Sequence, residues 1–197
     1  MKILITGASG QDGILLIDHI FQKSADVTIY ALSRSQQKFF NHLHAIGGLQ
    51  LAETFHQKGH FIICDVTDRA KVMSQVDLIK PDVIFHLAAH MEPLLQPGNE
   101  SQVLSRNMNG LIHILEACDQ LQIFPHIINA GSSLMFGRVD SGIASEKRHF
   151  SHSRLMVLVK LQHINLLIFF ARIKIKMCLQ QSYLTMSRFF EMNDGFL

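Results

Sequence analysis

Three glycines at a spacing of three, Gly7, Gly10 and Gly13, constrain this chain more than any other feature. An apolar run, Lys2-Ile3-Leu4-Ile5-Thr6, leads straight into them, and an amphipathic run opens at Gln11. A strand that passes into a helix through glycines turns tightly and leaves its backbone bare where side chains would otherwise stand. The first amides of such a helix lack intrahelical acceptors and carry the positive end of its dipole. The turn therefore suits a phosphate or diphosphate that approaches the backbone closely. The cofactor-binding residues expected in this turn are Gly7, Ser9, Gly10, Gln11, Asp12 and Gly13.

The chain beyond the turn repeats the same alternation. Apolar runs at 27–32, 61–64, 83–86 and 126–130 read as strands; runs at 11–23, 35–49, 67–80 and 102–121 read as helices. On the first helix Ile14, Leu15, Ile17, Ile20 and Phe21 fall on or near one face, and Gly47-Gly48 marks the end of the second. Strands that are nearly continuous Val, Ile and Leu, each followed by a helix, imply a parallel sheet covered on both faces. The expected fold class is α/β, a Rossmann-type doubly wound parallel sheet. Ligands of such sheets bind beyond the carboxyl ends of the strands, at the point where strand order reverses.

Composition removes several function classes. Lys plus Arg is 18 against Asp plus Glu at 16, too balanced to make nucleic acid or an anionic membrane the main partner. The most apolar stretch, 155–170, is interrupted by Lys160, Gln162, His163 and Asn165, so no transmembrane helix is expected. Cys64, Cys118 and Cys178 form no C-x-x-C, and the N-terminus has no secretory pattern, which fits a reducing cytoplasm. The histidines are scattered; only His149 and His152 lie three apart, without a third clustered ligand type, so no metal site is expected.

Further motifs lie at strand ends. After the second strand comes Ser33-Arg34-Ser35, where an NAD-preferring site places an acidic residue on the ribose 2′-hydroxyl. A guanidinium flanked by hydroxyls accommodates a 2′-phosphate instead, so Arg34 and Ser35 favour NADP; the alternative is a solvated surface arginine. Asp65-Val66 after the third strand suits an adenine amino group, or Asp65 simply caps a helix. After the fourth strand Leu87, Ala88 and Ala89 let the chain pass near a cofactor, and His86 alone reads as a satisfied core histidine. Asn107-Met108-Asn109-Gly110, followed by Leu115-Glu116-Ala117, lies on the long helix, and Gly131-Ser132-Ser133-Leu134-Met135-Phe136-Gly137 follows the fifth strand.

Together these residues resemble the extended short-chain dehydrogenase/reductases that act on nucleotide sugars, over residues 1–146. Within them, the turn Thr6-Gly7-Ala8-Ser9-Gly10-Gln11-Asp12-Gly13 and the Met135-Phe136-Gly137 ending are similar to the GDP-mannose 4,6-dehydratases, whose corresponding stretch reads Thr-Ser-Glu-Met-Phe-Gly. The resemblance implies an NADP-assisted lyase acting on a GDP-mannose-like nucleotide sugar. Hydride leaves sugar C4, a base removes the C5 proton, water departs from C6, and the hydride returns to C6. Ser132 matches the catalytic hydroxyl near C4. The family's catalytic Glu falls on Leu134, which accepts no proton. The family's Tyr-x-x-x-Lys pair is absent: Tyr30 is followed four residues later by Arg34, and Tyr183 by Ser187. The expectation is a dehydratase-like chain that is inactive by itself. A related NADP-dependent reductase or epimerase and a non-catalytic NADP-binding regulator stand as alternatives. A homo-oligomer is allowed for among the partners.

From residue 147 the character changes. No Pro follows Pro125, and no Gly lies between Gly142 and Gly195. The genetic code supplies a reason. When Leu155 to Lys160 is read from the third base of each codon, Met156 followed by Val157 forces a glycine, and the flanking codons permit Pro-Tyr-Gly-Val-Ser-Lys. The same frame over Leu184 to Arg188 permits Asn-His-Glu-Ser, a family motif expected downstream. Glu146-Lys147 can be encoded by a run of adenines, where loss of one base produces this shift. The expected organisation is therefore an NADP-binding domain at 1–146, truncated before the sugar-binding part. A frameshifted, irregular or helical apolar tail follows at 147–197. A rival reading makes the tail a genuine oligomerisation helix. Sequencing codons 140–160 is expected to show the adenine run and codons that spell Tyr and Lys in the other frame. Limited proteolysis is expected to cut near Lys147, whereas a resistant tail supports the rival.

Overall fold

A computed structural model describes residues 1–89, 100–130 and 175–178, with 100–104 and 175–178 described as backbone. The elements are β1 (Lys2–Thr6), α1 (Gln11–Lys23), β2 (Thr28–Ser33), α2 (Gln36–Lys58), β3 (Gly59–Ile63), α3 (Arg69–Ile79), β4 (Val83–His86), α4 (Glu100–Gln120), β5 (His126–Ala130) and β6 (Ile175–Cys178). All pairings are parallel, in the order β3-β2-β1-β4-β5-β6. This is the doubly wound sheet expected from the alternation, with its reversal between β1 and β4.

Alternate residues of β1, β2, β4 and β5 feed two separate cores. Ile3 and Ile5 of β1 face one side, with Ile14, Ile17 and Ile20 of α1 and Phe39, Leu43 and Phe55 of α2. Leu4 faces the other, with Val72 and Val76 of α3 and Leu111, Ile114 and Leu115 of α4. Both faces are dry, which is why the strands read as apolar runs rather than as alternating ones. Cys64 and Cys118 are buried and free in the second core, where desolvation raises both thiols, Cys118 to about 12.

Several local expectations are corrected. On α1, Leu16 is buried and Leu15 only half-buried. Gly47-Gly48 breaks the second helix but does not end it. Gly48 takes a left-handed φ of 68°, and helix resumes to Lys58. The continuation buries Leu51, Ala52 and Phe55, and the Phe55 ring lies 4.9 Å from that of Phe39. Burial of three apolar side chains against the sheet outweighs the local breaking tendency of two glycines. Thr67 and Asp68 lie outside α3. Asp68, not Asp65, is its cap, accepting from the Lys71 amide at 3.1 Å. In the tail, Ile175–Cys178 is a strand paired with β5, which the expected irregular or helical chain did not contain. The remainder of 147–197, together with Ser132, Leu134 and Tyr183, lies outside the described residues.

Gly13 shows how tightly α1 is seated. A Cβ there would stand 2.6 Å from the Ala8 carbonyl oxygen. Gly13→Ala is expected to destabilise the fold by about 1–3 kcal/mol, since the obstacle is backbone and cannot rotate away. Urea unfolding followed by circular dichroism measures it.

Candidate functional site

β1 delivers the chain to Gly7, whose φ of 72° requires a residue without a side chain. A Cβ at Gly7 would lie 2.6 Å from the Ala88 amide nitrogen, so the turn after β1 is pressed against the chain leaving β4. The turn is held by its own backbone: Gly10 N–H donates to Gly7 O at 2.9 Å, and Ala8 N–H donates to Leu32 O at 3.2 Å. Gly10 is the N-cap of α1 and brings no capping side chain. The first-turn amides therefore have no acceptor from the cap residue, as an anion site requires.

A cavity of about 640 Å³ opens here, at the carboxyl ends of β1 to β4. Gly7, Ser9, Gly10 and Asp12 line it from the first turn, and Arg34 lines it from the end of β2. Asp65 and Val66 line it after β3, and Leu87, Ala88 and Ala89 after β4. Of the remaining expected residues, Gln11 is exposed at the start of α1 and Gly13 packs beneath the turn. Ser35 caps α2, accepting from the Lys38 amide at 3.2 Å. The cavity is of a size that takes a cofactor, and its floor is glycine backbone that side chains would fill. The residues present fit a dinucleotide.

The walls are fixed by hydrogen bonds that the sequence did not announce. Ser33 Oγ donates to Ser9 Oγ at 2.7 Å. His42, on α2, donates from Nδ1 to the Ser9 carbonyl at 2.8 Å, since a carbonyl oxygen can only accept. Asp65 Oδ1 accepts from the Thr67 amide and hydroxyl at 2.9 and 2.8 Å, which shapes the turn after β3. His113 of α4 donates from Nδ1 to the Val66 carbonyl at 3.0 Å, and Gly110 leaves room for the Val66 side chain. Lys38, Arg106 and Asn107 also line the cavity. The Asn-rich stretch 107–110 of the long helix was the only sequence signal for the last of these.

Thr6, His86 and Asn129 occupy matching positions on β1, β4 and β5 and are buried. Thr6 Oγ1 accepts from the Ala88 amide at 3.4 Å and lies 2.8 Å from His86 Nδ1. His86 is thus a bonded core histidine, 2% exposed and outside the cavity lining. Among the described residues no three His, Cys, Asp or Glu side chains gather as metal ligands, and no helix is long and apolar enough to cross a membrane.

Desolvation raises the Asp12 carboxyl above its ordinary value of 3.8. The folded chain therefore holds this proton more tightly than the unfolded one does. Stability falls as pH rises from 3.8 through the folded pKa, and the cost is then constant. Asp12→Asn removes that cost. The variant is expected to gain stability over the parent at pH 7 and to lose the advantage as the pH approaches 4, as read from unfolding midpoints.

Residues 4–154 match the family model described as GDP-mannose 4,6 dehydratase. GDP-mannose 4,6 dehydratase 2 of Arabidopsis thaliana is 30% identical over 150 residues, covering 68% of this chain and 36% of that protein. A UDP-glucose 4-epimerase of Mycoplasma pneumoniae is 26% identical over 136 residues, covering 69% of this chain and 37% of the other. The chain thus spans little more than a third of the length of these relatives. Among solved structures, the UDP-glucose-4-epimerase of Stenotrophomonas maltophila with bound NAD superposes with a TM-score of 0.75 at 17% identity, covering 90% of this chain and 52% of that one. The dTDP-glucose 4,6-dehydratase of Bacillus anthracis in complex with NAD gives 0.71 at 14%, covering 91% and 54%. These two share the fold. With the glycine turn, the strand order and the family match in agreement, the chain belongs to the GDP-mannose 4,6 dehydratase family, within the extended short-chain dehydrogenase/reductases.

Proposed function

We propose that this chain is the NADP-binding portion of a GDP-mannose 4,6-dehydratase-like lyase, and that by itself it turns over little or no sugar. The observation that carries the cofactor reading is the end of β2, where Arg34 and Ser33 line the cavity at the position an NAD site gives to a carboxylate. NADP, when bound, supplies the hydride acceptor for oxidation at sugar C4. The chain's own residues do the rest of the binding. The glycine turn offers uncapped helix amides to a diphosphate, and Ala88 and Ala89 keep the cavity wall thin beside it. His42 holds the Ser9 carbonyl back toward α2, which orients the turn before any ligand arrives.

The inactivity reading rests on chemistry that the residues lack. A phenol can take the C4 hydroxyl proton at neutral pH only if its pKa is lowered, for which a lysine four residues on is the family's device. Neither tyrosine of this chain has one. Leu134 offers no atom to receive the C5 proton. The same proposal assigns 1–146 to the NADP-binding domain, with Ser132 as its sugar-facing hydroxyl, and 147–197 to a frameshifted tail. Leu134 also favours a second reading, an NADP-dependent nucleotide-sugar reductase or epimerase, whose chemistry needs no elimination base. Net oxidation of NADPH by a 4-keto sugar would identify it.

Calorimetry is expected to show NADP binding more tightly than NAD. Arg34→Ala is expected to lose roughly tenfold in NADP affinity with little change for NAD, as for loss of one charge-assisted hydrogen bond. Equal affinities in the unaltered chain reject the NADP assignment. Incubation with GDP-mannose and NADP is expected to yield no 4-keto-6-deoxy product; accumulation of that product rejects the inactivity reading.

A further inference from the structure

The sequence pointed to one cation at the end of β2, but the folded chain brings a second to the same wall. Lys38 lies in the first turn of α2, four residues after Arg34, and both side chains line the cavity beside Ser9 and Ser33. Its direction is fixed independently by His42, one helical turn further along. Residues four apart share a helix face, and the His42 ring touches the Ser9 carbonyl at 2.8 Å, so the face that carries Lys38 is turned toward the glycine turn. The Lys38 amide is held by Ser35 Oγ, which leaves the ammonium as the part of the residue available to the cavity. The ion pairs of Arg69 with Glu116 and of Lys71 with Asp68 involve neither Arg34 nor Lys38.

Two like charges on one wall repel each other, and an anion between them relieves the repulsion. The charge of that anion follows from theirs. A phosphate monoester carries close to two negative charges at neutral pH, whereas each phosphate of a diphosphate bridge carries one. Two cations with one neighbouring hydroxyl donor, Ser9, whose oxygen accepts from Ser33, match a monoester. The cavity's carboxylates stand elsewhere: Asp65 Oδ1 is taken by Thr67, and Asp12 belongs to α1. We infer that Lys38 is a second specificity-determining residue, which acts with Arg34 to bind the 2′-phosphate of an adenosine ligand as a dianion. The inference rests on the NADP reading above and deepens it. Arg34 supplies a planar fork, and Lys38 a mobile point charge that closes the other side of the phosphate.

Titration of the full chain with 2′,5′-ADP and with 5′-ADP isolates the extra phosphate from the nicotinamide half. The unaltered chain is expected to favour 2′,5′-ADP. Lys38→Gln is expected to lower that preference about tenfold while 5′-ADP affinity stays unchanged, and Lys38→Arg is expected to keep most of it. A preference that survives Lys38→Gln but disappears in Arg34→Ala overturns the role of Lys38 and leaves the NADP reading standing. An unaltered chain without any preference overturns both. Loss of 5′-ADP affinity in Lys38→Gln equal to the loss for 2′,5′-ADP assigns Lys38 to the diphosphate or to the fold, and so overturns the inference as well.

Discussion

The site depends on one close approach. The Gly7 backbone passes so near the Leu87–Ala88 peptide that a Cβ would fall 2.6–2.8 Å from its atoms. Side-by-side pairing of β1 and β4 brings the two strand ends together, and any side chain at Gly7 would force them apart. Because they meet there, the turn after β1 and the chain after β4 become adjacent walls of one cavity. The same contact lets Thr6 reach both the Ala88 amide and the His86 ring. A buried hydroxyl is costly unless bonded, so the bonds of Thr6 to His86 and Ala88 also favour this register of β1 on β4.

The opposite wall is built by the second core. Val66 carries no chemistry of its own, yet α4 grips it twice, through the His113 ring and through the space left by Gly110. Arg69 reaches Glu116 on the same helix at 2.7 Å, an exposed pair that contributes little energy but matches the same docking. The turn after β3 therefore owes its place to a helix that begins at Glu100, well beyond the intervening α3 and β4. That explains how Arg106 and Asn107 come to line a cavity whose glycine floor is set by residues 7–13.

Much of this was legible. The bounds of β1, α1, β4 and β5 follow from apolar runs and turn residues because each strand is buried on both faces and each break is punctuated. The glycine turn and Arg34 were legible because few residue types do that work. The second half of α2 was not: Gly47-Gly48 reads as a stop, and only the sheet surface waiting for Leu51 and Phe55 makes the helix resume. Lys38 and His42 were equally silent. Each looks like an ordinary polar residue on a helix until the helix is laid beside the glycine turn.

The sequence by itself determined the parallel alternation, the anion-seeking turn and the cation after β2, since backbone freedom, helix dipoles and charge are properties of residues and their near neighbours. The absence of a Tyr-x-x-x-Lys pair is likewise a fact of the sequence alone. Tertiary structure decided which distant side chains share the cavity, which serines bond each other and which histidine holds the turn. Those outcomes follow from packing two helical layers onto one sheet, and no local pattern encodes a contact between α2 or α4 and a loop on another strand.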